Sequence, residues 1–254
     1  PPEVAITMKA IETVLPEPAQ DDFLTGLLRG HRFRLCRSTD DVRAMVEVRR
    51  QVYVDGNGYN VPIPDAYDAR SWHVLAEDVE RGVACGSVRI TPRDAGPLEA
   101  EEYFCLPPTL RGPGILEISR FAILPPYRKG KTFLPIVSLG LFAVVRRVLA
   151  AVNARHMVIC CKPERLWTFE WLLFHRTGLR APYEKLGGAE HELLSLEVGR
   201  AAKEVLSHPF RCFFDGHEFA EVERPEPMPP LGLLDAFDLP TEGPRNGAWQ
   251  KAVA

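Results

Sequence analysis

Two successive prolines, Pro125 and Pro126, close an apolar run and are followed by a glycine between cations, Lys129-Gly130-Lys131. Neither proline can donate to a strand ladder, so whatever Leu116–Leu124 forms must stop there. Before the stop, apolar residues alternate with Glu117, Ser119 and then Phe121, the two-residue period of a strand. After it, Phe133 to Leu149 reads as a helix buried over most of its surface. Strand, loop and helix follow in immediate succession. Such a strand delivers a carboxylate, Glu117, and a guanidinium, Arg120, into an apolar layer. Such a loop aims backbone N–H groups at an anion, helped by the helix dipole. Arg128, Lys129, Gly130, Lys131 and Thr132 are therefore candidates for gripping a phosphate-bearing acyl carrier.

The remaining chain supplies an α/β layer around this unit. Arg32–Cys36 alternates as a first strand, and Ser38, Thr39 and Asp40 offer capping oxygens to a helix of about 39 to 54. Asp55-Gly56-Asn57-Gly58 ends it, and residues 57–70 form a proline-punctuated loop carrying Asp65 and Asp68. His73–Asp78 and Val83–Ile90 read as a hairpin about Glu80-Arg81-Gly82, and 91–113 as a loop with a helical turn near Glu101. His156–Cys161 is a strand, Pro163 begins a helix running to about His175, and Gly178, Gly187 and Gly188 mark turns before a last strand at Glu192–Val198. The expected organisation is an N-terminal extension at 1–30, one mixed-sheet domain at 31–220 and a proline-rich, mostly irregular tail at 221–254.

Composition removes several classes of function. A formal net charge of −3 argues against a general nucleic-acid binder, which carries a cationic excess. Six cysteines without a CxxC spacing, two of them adjacent in an apolar run, read as reduced core thiols of a cytoplasmic protein. The run from Phe133 is interrupted by Pro135, Arg146 and Arg147, too early for a bilayer span, and no stretch reads as an export signal. The histidines show no metal-ligand spacing. There is no GxSxG elbow or Cys-His arrangement for a covalent acyl-enzyme, so direct transfer between two bound substrates is expected, with no tightly bound cofactor.

Five short segments, in order over roughly 33–200, resemble the autoinducer synthase and N-acyl amino acid synthase branch of the GNAT acyltransferases. Val48-Arg49-Arg50-Gln51-Val52-Tyr53 resembles its arginine-then-aromatic helix, and Tyr59 falls where it carries an aromatic residue. Asp65-Ala66-Tyr67-Asp68 resembles its acidic loop, Gly86-Ser87-Val88-Arg89 its strand arginine, and Glu117-Ile118-Ser119-Arg120-Phe121 its signature strand. Tyr67-Asp68-Ala69-Arg70-Ser71 followed by His73 is more similar to the N-acyl amino acid synthases and the exosortase-associated acyltransferases than to the homoserine lactone synthases. Tyr127 and Thr132 depart from the GNAT phosphate-loop pattern, which weighs against a close fit to coenzyme A.

The resemblance implies a GNAT-like α/β fold and transfer of a fatty acyl chain from acyl carrier protein, or less readily coenzyme A, to an amino acid. Acyl-phosphopantetheine is then a co-substrate. Glu117, directly or through water, is the candidate base for the amine, which is largely protonated near neutral pH; the alternative is a structural ion pair with Arg120. Arg49, Arg89 and Arg120 would grip the acceptor's carboxylate or order the acidic loop. Asp65 and Asp68 would organise a lid, bind the substrate ammonium or simply form turns, and Tyr53, Tyr59, Ser119 and Phe121 complete the expected substrate site. His73 reads as a hydrogen-bonded structural histidine. The cations Arg128, Lys129, Lys131, Arg146 and Arg147 would steer an acidic acyl carrier protein or form a solvated face. Most apolar side chains of 133–152 and 163–175 are core, with a minority free to line an acyl tunnel. Other outcomes compatible with the resemblance are a homoserine lactone synthase using S-adenosylmethionine, an ornithine acyltransferase and a non-catalytic acyl-carrier sensor.

Overall fold

Residues 25, 26, 28–128, 135–208, 221 and 222 are described by a computed structural model of the chain. Lys129, Gly130, Lys131 and Thr132 lie outside them, as do the N-terminal extension to residue 24 and the tail beyond 222.

The strands are β1 (His31–Leu35), β2 (Trp72–Asp78), β3 (Val83–Pro92), β4 (Ile115–Ile123), β5 (His156–Cys161), β6 (His175–Tyr183) and β7 (Ala189–Glu197). Among the described residues they form one seven-stranded sheet in the order β1-β2-β3-β4-β5-β7-β6. Only β4 and β5 run parallel within it, joined by the crossover helix α2 (Ile136–Ala151). The mixed α/β architecture expected from the sequence is the one found.

Helix α1 (Thr39–Arg49) starts at a capping box: Ser38 Oγ accepts from Asp41 N at 3.1 Å, and Asp41 Oδ2 accepts from Ser38 N at 3.1 Å. It packs on β2, β3 and β4 from one side, while α2 packs on β1 to β4 from the other. The two glycines at the α2 contact are there for space. A Cβ on Gly140 would stand 2.2 Å from the Phe33 ring, and one on Gly86 would stand 2.6 Å from Val137 Cγ1. The main core lies under α2 and takes Leu116, Ile118, Met157, Ile159, Leu194 and Leu196 from alternating strand positions. On the other face, Ile115, Val158 and Leu193 pack against Leu98, Phe104 and Leu106 of the 93–114 connection. No described helix is long and apolar enough to cross a membrane.

Four boundaries differ from the sequence reading. The helix expected to reach residue 54 changes at Arg50 into one π-helical turn, Arg50–Asp55. The helix expected from Pro163 to His175 is a 3₁₀ turn, Pro163–Arg165, and a short α3 (Leu166–Trp171). Gly178 is not a turn between elements but a positive-φ residue inside β6, where the register with β7 shifts between Arg176 and Arg180. That strand was concealed because its sequence, HRTGLRAPY, alternates only between half-buried and exposed positions until Tyr183. A final helix, α4 (Val198–Glu204), follows β7 directly, leaving no loop signal between them.

Candidate active site

Strand β4 does not keep its alternation to the end. Its pairing with β3 shifts between Ser87 and Arg89, and opposite that shift Arg120 adopts φ 51°, a left-handed conformation uncommon outside glycine. This bulge turns Arg120 to the face that already carries Glu117 and Ser119. Phe121, expected on that face, instead meets the main core and stacks on Phe142 of α2 at 5.3 Å. One extra residue thus makes β4 polar on one side and apolar on the other.

On the polar side lies a buried ionic cluster. Arg89 donates through Nη1 to Asp65 (2.5 Å) and Asp68 (3.2 Å), through Nη2 to Glu99 (2.5 Å) and through Nε to Ser119 Oγ (3.0 Å). Arg120 reaches Asp65 Oδ2 at 2.7 Å and Glu99 Oε1 at 2.8 Å, and Arg49 reaches Asp68 at 2.8 Å. Three guanidiniums therefore meet three carboxylates, all buried. Burial works against the charge of Asp68, but Arg49 and Arg89 override it and hold the carboxyl well below its usual range. Arg49 also donates to His73 Nδ1 (3.0 Å), while His73 Nε2 faces the Asp68 carbonyl at 3.0 Å. A carbonyl only accepts, so the proton sits on Nε2. Burial and Arg49 lower the His73 pKa to about 4, so the ring is neutral.

Glu117 is the fourth carboxyl of this region and has no guanidinium of its own. Its oxygens accept from the backbone N–H groups of Glu99 (2.7 Å) and Ala100 (3.0 Å). The neighbouring cluster is already balanced, so ionising Glu117 adds an uncompensated charge in a site 1% exposed. Burial first, then the Glu99 carboxylate, push its pKa up to about 8 against the pull of Arg89 and the two amides.

The cleft beside Glu117 follows from strand geometry. β4 and β5 pair from Ile115↔His156 to Ile118↔Ile159 and then part, although β4 continues to Ile123 and β5 to Cys161. A cleft of about 670 Å³ opens there, within the range of small-molecule sites. Glu99, Glu117, Ser119 and Arg120 line its polar side; Phe121, Phe142, Phe169 and Leu172 line it toward α2 and α3. Tyr53 in the π turn closes one wall, with its hydroxyl donating to the Phe121 carbonyl at 3.0 Å. Tyr59 and Arg128 also line the cleft.

Of the residues singled out from sequence, the structure brings Glu117, Ser119, Arg120, Phe121, Tyr53, Tyr59 and Arg128 to the cleft. Arg49, Asp65, Asp68 and Arg89 do not line it and stand behind it in the ionic cluster. Sequence reading missed Glu99, which binds Arg89 and Arg120, because it lies in a loop without periodicity. It also missed Cys160, Lys162, Tyr183 and His191, brought in by β5, by the unexpected β6 and by β7. Burial holds the Cys160 thiol well above its ordinary pKa, the opposite of what an activated nucleophile needs. Among the described residues, no group of His, Cys, Asp and Glu is placed to hold a metal ion.

The family profile described as "N-acyl amino acid synthase FeeM" matches residues 44–197, which span the acidic loop, the bulged strand and both walls of the cleft. The chain belongs to the FeeM family of N-acyl amino acid synthases. No curated protein matches it. Among solved structures, FeeM itself, an N-acyl amino acid synthase from uncultured soil microbes, is 19% identical, with a TM-score of 0.52 over 66% of this chain and 91% of FeeM. The CoA-dependent acyl-homoserine lactone synthase BjaI, solved with SAM and isopentyl-CoA, is 20% identical, with a TM-score of 0.57 over 82% of this chain and 98% of BjaI. The AHL synthase LasI is 22% identical, with a TM-score of 0.50 over 66% and 89%. Membership in the FeeM family makes this protein an N-acyltransferase, and these structures share its GNAT-like fold.

Proposed function

We propose that the protein is an N-acyl amino acid synthase that takes a fatty acyl chain from the thioester of acyl carrier protein, with coenzyme A as the alternative donor, and places it on the α-amino group of an amino acid in the cytoplasm. The observation that carries this reading is the parting of β4 and β5 beside Glu117. It provides a two-sided cleft, carboxyl on one side and phenylalanines on the other, where an amine and an acyl thioester can meet.

Glu117 takes the proton from the attacking ammonium. The freed amine attacks the thioester carbonyl, the tetrahedral oxyanion is met by backbone N–H groups of β4 beyond Ile118, and the C–S bond breaks as the thiol departs with a proton. A carboxyl whose pKa is raised to about 8 takes a proton from an ammonium more readily than an ordinary carboxylate does. The arginines and aspartates behind the cleft position Glu99 and the acidic loop. Arg128 lines the cleft and is assigned to the donor's phosphate; the same role is assigned to Lys129, Gly130, Lys131 and Thr132 from the sequence alone.

Mass spectrometry of organic extracts from bacteria with and without the protein tests the reading: the expected product is an N-acyl amino acid. A lactone product identifies a homoserine lactone synthase instead, and an acylated ornithine the corresponding lipid enzyme. Glu117→Gln lowers turnover about a hundredfold or more, and wild-type turnover rises with pH to a plateau above about 8. A Glu117→Gln protein with wild-type turnover removes the base from Glu117.

A further inference from the structure

We propose that Lys162 selects the acceptor by binding its carboxylate, so that the substrates are amines bearing a free carboxylate and not neutral amines. This rests on the N-acyltransfer reading above. The three buried guanidiniums of the site are already committed: Arg89 and Arg120 hold Asp65 and Glu99, and Arg49 holds Asp68. A carboxylate arriving in the cleft would have to displace a buried carboxylate to reach them: Arg49 and Arg89 lie behind the wall, and Arg120 is balanced within it.

Lys162 is differently placed. It follows β5 and continues the alternation of Val158, which pairs with Glu117, and of Cys160, so its stem leaves on the Glu117 side of the sheet. It is half-buried in the lining of the cleft. Its ammonium donates to Tyr59 Oη at 3.0 Å and stands 5.6 Å from the centre of that ring. Tyr59 is seated in turn against Gly187, where a Cβ would lie 3.4 Å from its ring. The phenol satisfies one of three ammonium hydrogens. Among the described residues the contacts of the Lys162 ammonium are to Tyr59, with no carboxylate in ion-pair contact; Glu164 lines the same cleft without pairing to it. A partly desolvated ammonium held in place by a tyrosine, with two donors to spare, suits a small carboxylate. Arg128 and Arg165 are exposed at the α2 and α3 end, the side suited to the donor.

The test offers the purified full-length protein the twenty common amino acids and their primary amides as acceptors, with decanoyl-acyl carrier protein and decanoyl-CoA as donors, and reads kcat and KM by mass spectrometry. Wild-type protein favours the acid over its amide by tenfold or more, the size expected for one charge-assisted contact. In Lys162→Met the acid-to-amide ratio of kcat/KM collapses toward one, with the change in KM for the acid and the donor KM held. Lys162→Arg restores the preference. Amides used as well as acids by the wild type, or a Lys162→Met protein that keeps the acid preference, overturns the assignment of Lys162 while leaving N-acyltransfer standing. No product from any amine with either donor overturns the functional reading, and this inference with it.

Discussion

Arg89 shows how much of the site is built from charge balance at single residues. It is fully buried and its guanidinium bonds Asp65, Asp68, Glu99 and Ser119 at once. Burial opposes its charge, but Asp65, Glu99 and Asp68 outweigh that penalty and raise its pKa. Replacing one partner of such a pair strands the others. Arg89→Met is expected to cost about 3–5 kcal/mol, read as a fall in the urea midpoint; a variant within about 1 kcal/mol of wild type would mean that water or a neighbouring cation can take its place. The residue types of this cluster were visible in the sequence. Their division was not: whether an arginine binds substrate or a buried aspartate depends on which loop folds across it, and Glu99 gave no local sign of being the carboxylate that joins two of them.

Among the elements, β4 and α2 carry the greatest demands. The bulge at Arg120 costs a left-handed φ in a non-glycine residue, of the order of 1–3 kcal/mol, and is over-determined by Asp65 and Glu99. Helix α2 comes down on β1 so closely that Gly140 faces the Phe33 ring with no room for a methyl group. Gly140→Ala removes a flexible residue from a helix, which alone would stabilise by about 1 kcal/mol. The clash is expected to win, with a net loss of about 1–3 kcal/mol. Adding Phe33→Leu should recover part of that loss in a double-mutant cycle, and additive losses would place the strain elsewhere. Sequence period alone marked β4 as a strand and α2 as a helix. It missed β6, whose outward-facing polar residues and internal glycine leave too little apolar alternation to read.

For the whole molecule, the buried groups give stability opposite slopes with pH. His73, whose pKa falls from 6.5 to about 4, contributes stability above its unfolded value and loses it as pH falls through 4; Asp68, also depressed, adds to the acid limb further down. Glu117, raised from 4.5 to about 8, does the reverse: its contribution is complete below 4.5 and lost as pH rises through 8. Wild-type unfolding free energy should therefore decline from pH 6 to 8.5 more steeply than that of Glu117→Gln, whatever constant offset the substitution adds. Equal declines would show that Glu117 does not carry its proton in the folded protein.

The sequence by itself determined the alternation of strands and helices, the stop after β4 and the chemical inventory of the site, because period, proline and residue type are local properties. The tertiary structure decided that β4 and β5 part beyond Ile118, that a bulge turns Arg120 toward Glu99, and that Lys162 reaches Tyr59 across 103 residues of chain. Each of these depends on register and long-range pairing, which a linear pattern does not encode.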